Sequence, residues 1–327
     1  MKRHELAHKL GVSTAAISYA LRGNGRLSAE TREHLLQQIQ ETSYTPNANA
    51  QRLATGRSHV IALHDCRGNL FAMQLAFGIQ DALQKRGYGV LLNSLKTDEQ
   101  IVEWTKSDAI DGAILIGKPF DAGFLEQIAS PTRACVVVDV ASHGVPYVTT
   151  ININHSGVEE GVRLLLENKH HRVLFLHCGN DEEMLAAAHK VAREAGITID
   201  GGSVVKFSYD LISAETLVTS ILSRSEGIRP TAFLLFDERL ALIVLRVARR
   251  LGLAVPQDLS MISCHETVEW ARYTDPPLCV VAFNYQETGE VIAQAVVAHW
   301  TGTTSKFVSR SYLRDWGRSV AACPDAV

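Results

Sequence analysis

Apolar positions recur at two different periods along the chain, and the switch between them divides it. Over the first forty or so residues the spacing is helical. Leu6, Ala7 and Leu10 form one stripe, Ile17 and Leu21 a second, and Leu35, Leu36 and Ile39 a third. Gly11 closes the first helix, as a glycine after a helix commonly does. Ser13 has N-cap chemistry for a second helix over roughly 14 to 21. Ser28 caps a third, with Glu30 and Glu33 in its first turns, and that helix ends near Thr42. A connection of three to four residues through Gly11 is the spacing of a helix-turn-helix.

From His59 onward the pattern becomes an alternation of short apolar runs and amphipathic helices. HVIALHD, VLLNSL, GAILIG and ACVVVDV read as strands, separated by FAMQLAFGIQDALQKRGYG, which Gly87 closes, and by EQIVEWTKSDAID. A second half repeats the order. Its strands are RVLFLHCG, GSVVKFS, TAFLLFD and LSMISCH. Its helices are GVEEGVRLLLENKHH, EEMLAAAHKVAREAG, AETLVTSILSRSEG and ERLALIVLRVARRLG. Strands alternating with helices imply parallel sheets covered on both faces. The expected fold is therefore a small all-α helix-turn-helix head followed by a two-lobed α/β body with parallel sheets.

Between the two regimes lies YTPNANAQRLATGRS. Pro46 breaks the chain, Asn47 caps a short helix through Leu53, and Gly56 and Ser58 read as a linker. Leu53 is apolar on a helix too short to own a core, and lone short helices are marginal in water. This segment is expected to order only against a partner: DNA, its twin in a dimer, or both. The expected organisation is residues 1–44 as the head, 45–58 as hinge helix and linker, and 59–327 as the body.

Charge sharpens that division. Residues 1–58 hold eight Lys and Arg against four acids, so the segment carries +4 while the whole chain carries -3. A basic head on an acidic body points to a polyanion partner for the head. No apolar run is long enough to span a membrane and the amino terminus carries no apolar signal segment, so a cytoplasmic chain with no membrane partner is expected. Six scattered cysteines without a C-x-x-C read as reduced thiols. Neither G-x-G-x-x-G nor G-x-x-x-x-G-K-[ST] occurs, which argues against a dinucleotide or nucleotide-hydrolysing enzyme.

The second helix carries the candidate chemistry. Its residues outside the core stripe are Thr14, Ala15, Ala16, Ser18 and Tyr19. Small side chains let a helix settle deep in the major groove, where Thr, Ser and Tyr can hydrogen-bond to base edges. Arg22, Arg52 and Arg57 are candidates for phosphates. A plain helical hairpin packed on something else is the alternative.

These residues carry a resemblance. LAHKLGVSTAAISYALRG, with LSAETREHLLQQIQETSYTPNANAQRLATGRS after it, resembles the DNA-binding head and hinge helix of the LacI/GalR family of bacterial regulators. The resemblance assigns Thr14, Ala15 and Tyr19 to base edges. It places Leu53 as a wedge in a central minor-groove step, within a hinge that also includes Asn47 and Ala50. The body is similar to the periplasmic-binding-protein-like sensor of the same family through IDGAILIG, RPTAFLLFDE, LGLAVPQDLSMIS, DPPLCVV and TGEVIAQAVV. It implies a homodimeric, effector-controlled regulator, most simply a repressor, on a palindromic operator of double-stranded DNA, with no enzymatic activity, no catalytic residue and no cofactor.

The effector positions that the resemblance implies are altered here. Met184 stands where many members place an arginine. Asp237 and Glu238 replace Asn-Asp, and His265 followed by Glu266 replaces an acidic pair. Losing an arginine fork and a carboxylate removes the usual grips on polyols. Cys66, Asn69, Phe71 and Lys118 complete the expected effector set, which binds a small molecule other than a simple sugar held in the usual way; loss of effector binding is the alternative. HDC at 64–66, HC at 177–178 and CHE at 264–266 all fall at strand carboxyl ends. They could ligate a soft metal or expose a thiol, but their spacing is non-local and no metal site is assigned. A solute-binding protein is the second reading. An α/β enzyme using His265 and Glu266 as acid and base is the third, without any G-x-S-x-G nucleophile to support it.

Overall fold

The computed structural model describes residues 3–22, 27–42, 57–65, 70–93, 97–139, 141–153, 156–177, 182–195, 204–206, 210–264, 271–301, 307–309 and 312–325. The chain divides into two compact units. One is Met1–His59 with Asp108–Asp111; the other is Val60–Ser107 with Gly112–Val327.

The amino-terminal unit is helical, with α1 (Arg3–Lys9), α2 (Thr14–Arg22) and α3 (Ala29–Gln40). Local chemistry sets each boundary. Gly11 takes φ +66° after α1, a conformation that costs glycine little, and the Val12 N–H then donates to the Ala7 carbonyl at 3.0 Å. The Ser13 hydroxyl accepts from the Ala16 N–H at 3.1 Å, and Ser28 accepts from the Thr31 N–H at the same distance. Leu6, Ala7, Ile17 and Ile39 form the core, with Leu10 and Val12 packed against it. Ala20 is also fully buried. The apolar stripe missed it because a single methyl carries little weight in a hydrophobic pattern. Arg32 of α3 donates through Nε to the Ala20 carbonyl at 3.2 Å, tying α3 to the last turns of α2.

The second unit is built on two six-stranded sheets. The first takes β1 (Val60–Asp65), β2 (Gly89–Asn93), β3 (Gly112–Ile116), β4 (Ala134–Val138), β5 (Val148–Ile153) and β11 (Phe307–Ser309), in the order β11-β5-β4-β3-β1-β2. All its pairings are parallel. The second takes β6 (Val173–His177), β7 (Val204–Lys206), β8 (Ala232–Leu235), β9 (Ser260–Cys264), β10 (Cys279–Phe283) and β12 (Tyr312–Asp315), in the order β12-β10-β9-β8-β6-β7. Only β12 runs antiparallel to its neighbour there. Both orders contain the 2-1-3-4-5 pattern of a doubly wound sheet, whose direction of winding reverses beside the first strand of each run.

Helices cover the sheets. They are α4 (Leu70–Gln84), α5 (Asp98–Lys106), α6 (Ala122–Ile128), α7 (Ser156–Glu167), α8 (Glu182–Glu194), α9 (Leu211–Leu222), α10 (Glu238–Arg250) and α11 (Tyr285–Thr301). The chain does not complete one lobe before starting the other. After β10 in the second sheet it returns through α11 to β11 at the edge of the first, then supplies β12 to the second. α11 packs on α4 at a crossing where two glycines meet. A Cβ on Gly289 would lie 2.3 Å from the Gly78 carbonyl carbon, and one on Gly78 would lie 2.2 Å from the Tyr285 oxygen.

The tail past β12 is held in the second sheet by buried polar groups. Ser319 donates to the Met261 carbonyl at 2.6 Å and accepts from the Cys279 N–H at 2.7 Å. His170 bridges the Thr231 hydroxyl at 3.0 Å and the Ala321 carbonyl at 2.9 Å. Among the described residues, no helix is long and apolar enough to cross a membrane.

Candidate nucleic-acid interface and effector-facing strand ends

The helical period sorts α2 into two faces. Ile17 and Ala20 are fully buried, while Thr14, Ala15 and Tyr19 are exposed and Ala16 and Ser18 half-buried. Tyr19 leaves 43% of its surface open although it is a large aromatic residue beside a small core. The Ser18 hydroxyl donates to the Thr14 carbonyl at 3.0 Å, which folds its side chain back along the helix. No acid lies in the first turn of α2, so the positive end of the helix dipole is not neutralised there. The result is a shallow, small-sided ridge with one phenol and a positive end. A ridge of this kind can lie in a major groove and face phosphates.

The remaining DNA candidates sit less centrally. Arg22 closes α2, and its side chain lies outside the described residues, as do Asn47, Ala50, Arg52 and Leu53. The expected hinge helix therefore has no structural account. Arg57 is described and half-buried, directly ahead of Ser58.

In the second unit the winding reversals fall beside β1 and β6, so ligands are expected beyond the carboxyl ends of β1, β3, β6 and β8. Lys118 follows the carboxyl end of β3. Its ammonium pairs with Asp98 and lies 5.4 Å from the centre of the Phe120 ring. Asp237 follows β8 and caps α10, accepting from the Arg239 N–H at 2.9 Å and from Arg239 Nε at 2.8 Å. An arginine fork is thus present, turned onto its own capping carboxylate. Glu238 opens α10, and its side chain lies outside the described residues, as does that of Phe71 in α4. Met184 is 2% exposed and packs with Val158, Phe175 and Ala188 in the core of the second sheet. Cys66, Asn69 and His265 lie outside the described residues.

Of the three His/Cys groups, the described histidines and cysteine are buried. His64 has no exposed surface, and burial pulls its pKa down from 6.5 to about 4, so the ring is neutral. Among the described residues neither of its ring nitrogens has a hydrogen-bond partner. His177 is 7% exposed and Cys264 1%. Burial also pushes the Cys135 thiol up to about 12, which leaves it unreactive. Among the described residues, no group of three or more His, Cys, Asp or Glu is placed to hold a metal.

One residue at these strand ends escaped the sequence reading. Asp139 follows β4 with φ +57°, a left-handed conformation uncommon outside glycine. Its N–H donates to the Ile151 carbonyl at 2.8 Å. Its Oδ1 accepts from the Ile153 N–H at 3.4 Å, so the carboxylate is held beside the end of β5. The sequence offered only that ACVVVD ends on an acid, which does not reveal a backbone angle.

Comparison with known proteins bears on both units. Residues 4–47 match the family described as bacterial regulatory proteins, lacI family, and residues 162–313 match a periplasmic binding protein-like domain. The chain thus carries a lacI-family helix-turn-helix in its head and a periplasmic-binding-protein-like domain in its body. It is 26% identical over 298 residues to the HTH-type transcriptional regulator DegA of Bacillus subtilis, spanning 88% of this chain and 87% of DegA. The HTH-type transcriptional repressor CytR of Escherichia coli is 26% identical over 300 residues, spanning 87% and 85% of the two chains. In fold it is similar to the lac repressor dimer bound to operator and an anti-inducer. That likeness has a TM-score of 0.76 at 21% identity and covers 98% of this chain and 99% of the other. With this head and body the chain is a DNA-binding transcriptional regulator with a sensor domain, and DegA and CytR are regulators, not enzymes.

Proposed function

We propose that this regulator is a cytoplasmic homodimer that represses transcription from a roughly palindromic operator. Each head lays α2 in the major groove of one half-site, with Thr14, Ala15 and Tyr19 on base edges and Ala16 and Ser18 beside them. Arg22 and Arg57 face phosphates. Residues 45–58 order as hinge and linker, with Asn47 and Ala50 shaping the hinge and Leu53 wedged in the minor groove. An apolar wedge costs a few kcal/mol of unstacking, offset by the contacts that a bent duplex allows. The body, residues 59–327, binds a small-molecule effector that is not a simple sugar. Its set is Cys66, Asn69, Phe71, Lys118, Met184, Asp237, Glu238 and His265, to which Asp139 is added. The effector acts by binding the DNA-competent and incompetent states with different affinities.

The observation that carries this reading is the exposed, small-sided face of α2. A helix in a three-helix unit leaves Tyr19 open to solvent at some cost unless a partner covers it. The dimer has its own support. Met73 and Phe77, one turn apart on α4, are 49% and 66% exposed, and Leu92 on edge strand β2 is 53% exposed. Leu92 pairs with core residue Leu63, which puts its side chain on the face of the sheet that α4 covers. Large apolar residues gathered on one helix and an adjacent sheet edge are suited to a second copy of the chain.

Replacing Tyr19 and Thr14 by alanine, singly, tests the assignment. Each variant should lose about tenfold in affinity for the preferred duplex and relax selectivity at one or two base pairs, at unchanged affinity for random duplex. Undiminished selectivity in both variants would remove α2 from the groove.

A further inference from the structure

Asp111 directly precedes β3, yet it belongs with the amino-terminal unit. Asp111 is 8% exposed, and its carboxylate gathers three donors from the end of the linker. Oδ1 accepts from the Ser58 N–H at 2.7 Å and from the Ser58 hydroxyl at 3.0 Å, and Oδ2 accepts from the His59 N–H at 2.8 Å. His59 is held at φ +55°, a left-handed conformation uncommon outside glycine, although histidine enters it more readily than most residues. Such a conformation persists where its surroundings over-determine it, and here one carboxylate oxygen takes both Ser58 donors while the other takes the His59 N–H. The next residue, Val60, opens β1, and β1 and β3 are paired neighbours, Ile61 opposite Gly112. Gly112 is itself fixed, because a Cβ there would stand 2.6 Å from the Ala134 carbonyl oxygen.

We propose that Asp111 is a positioning residue for DNA recognition: its carboxylate fixes the direction in which the linker reaches Ser58 and His59, and so sets where the hinge and head are presented. β3 runs on directly from this clamp. All five of its residues are buried, and beyond its far end lie Gly117, at φ +111°, and the Lys118–Asp98 ion pair, at the end of the sheet where ligands bind. One short, fully packed strand thus has the linker clamp at its start and an effector-side ion pair just past its finish. The proposal rests on the operator-binding reading given above.

The test uses the full chain and the duplex it selects from a random pool. Asp111→Asn keeps the shape but replaces one acceptor with an amide, which no longer satisfies both Ser58 and His59. Amide exchange at Ser58 and His59 should accelerate at least tenfold. Affinity for the selected duplex should fall about tenfold, while affinity for random duplex stays within twofold, because phosphate contacts do not depend on how the two heads are spaced. Ser58→Ala removes one donor and leaves both N–H bonds, so it should fold normally and show a smaller loss of the same kind. Parental affinity of Ser58→Ala for the selected duplex, or equal losses on selected and random duplexes in Asp111→Asn, would overturn the proposal. If the parent protein selects no duplex at all, the operator-binding reading fails, a different outcome from either.

Discussion

At the scale of the residue, His64 shows how one buried group writes a pH dependence into the body. It sits in β1 opposite Asn93 and Leu115, fully buried, with its pKa pulled to about 4 by burial. In the unfolded chain it titrates near 6.5. Between these values the unfolded state binds more protons than the folded one, so stability rises with pH. The contribution is complete above about pH 6.5 and lost as pH falls toward 4, amounting to about 3 kcal/mol. Urea unfolding of the parent and of His64→Leu across this range checks it. The parent should lose about 3 kcal/mol more than the variant, and parallel pH profiles would contradict it.

The same scale shows where site residues were legible. Thr14, Ala15 and Tyr19 could be read as a free face because a nine-residue helix has a short, regular period and a small core claims few positions. Met184 and Asp237 were placed by resemblance, which gives position along the chain but not what the side chain touches. Met184 is in the core, and Asp237 is occupied by its own helix cap. Asp139 was missed because its distinguishing feature is a backbone angle, and no side-chain pattern announces that.

At the scale of the element, long amphipathic helices and fully buried strands were readable, and short or half-exposed ones were not. β3 and β4 are apolar throughout and buried at every position. β5, VTTINI, has three half-buried residues and one exposed one, so neither an alternating nor a continuous apolar pattern marks it. α6 spans only seven residues, too few to establish a period. The 3.6-residue period also cannot see the α4–α11 crossing, which depends on two glycines 211 positions apart in the chain. Alanine is ordinarily better than glycine inside a helix by about 1 kcal/mol. At Gly289 the Cβ would strike backbone, not a movable side chain, and overpacking of that kind costs about 1–3 kcal/mol. Gly289→Ala should therefore lower the urea midpoint, whereas Gly161→Ala, whose Cβ would meet only side-chain carbons from 3.4 Å outward, should change it little. Equal behaviour of the two variants would contradict the packing argument.

At the scale of the whole molecule, the alternation of strands and helices foretold two parallel-sheet lobes but not their interleaving. Local pattern does not say which sheet a strand joins. α11 and β11 follow the second run in sequence and belong to the first sheet, with β12 crossing back. The exposed face of Met73, Phe77 and Leu92 belongs to this scale, since its meaning depends on a second copy. Phe77→Glu should shift sedimentation from dimer to monomer and weaken operator binding, with the circular dichroism spectrum unchanged, because the side chain lies outside the core. A variant that remains dimeric would move the interface elsewhere.

The central claim, that two copies of α2 read paired half-sites, meets its most direct test in selection of duplexes from a random pool by the purified full chain, at moderate salt. The account predicts enrichment of an inverted repeat whose half-sites lie about 34–36 Å apart, one turn of the double helix, or a multiple of it. Recovery of no sequence in preference to random competitor would contradict it.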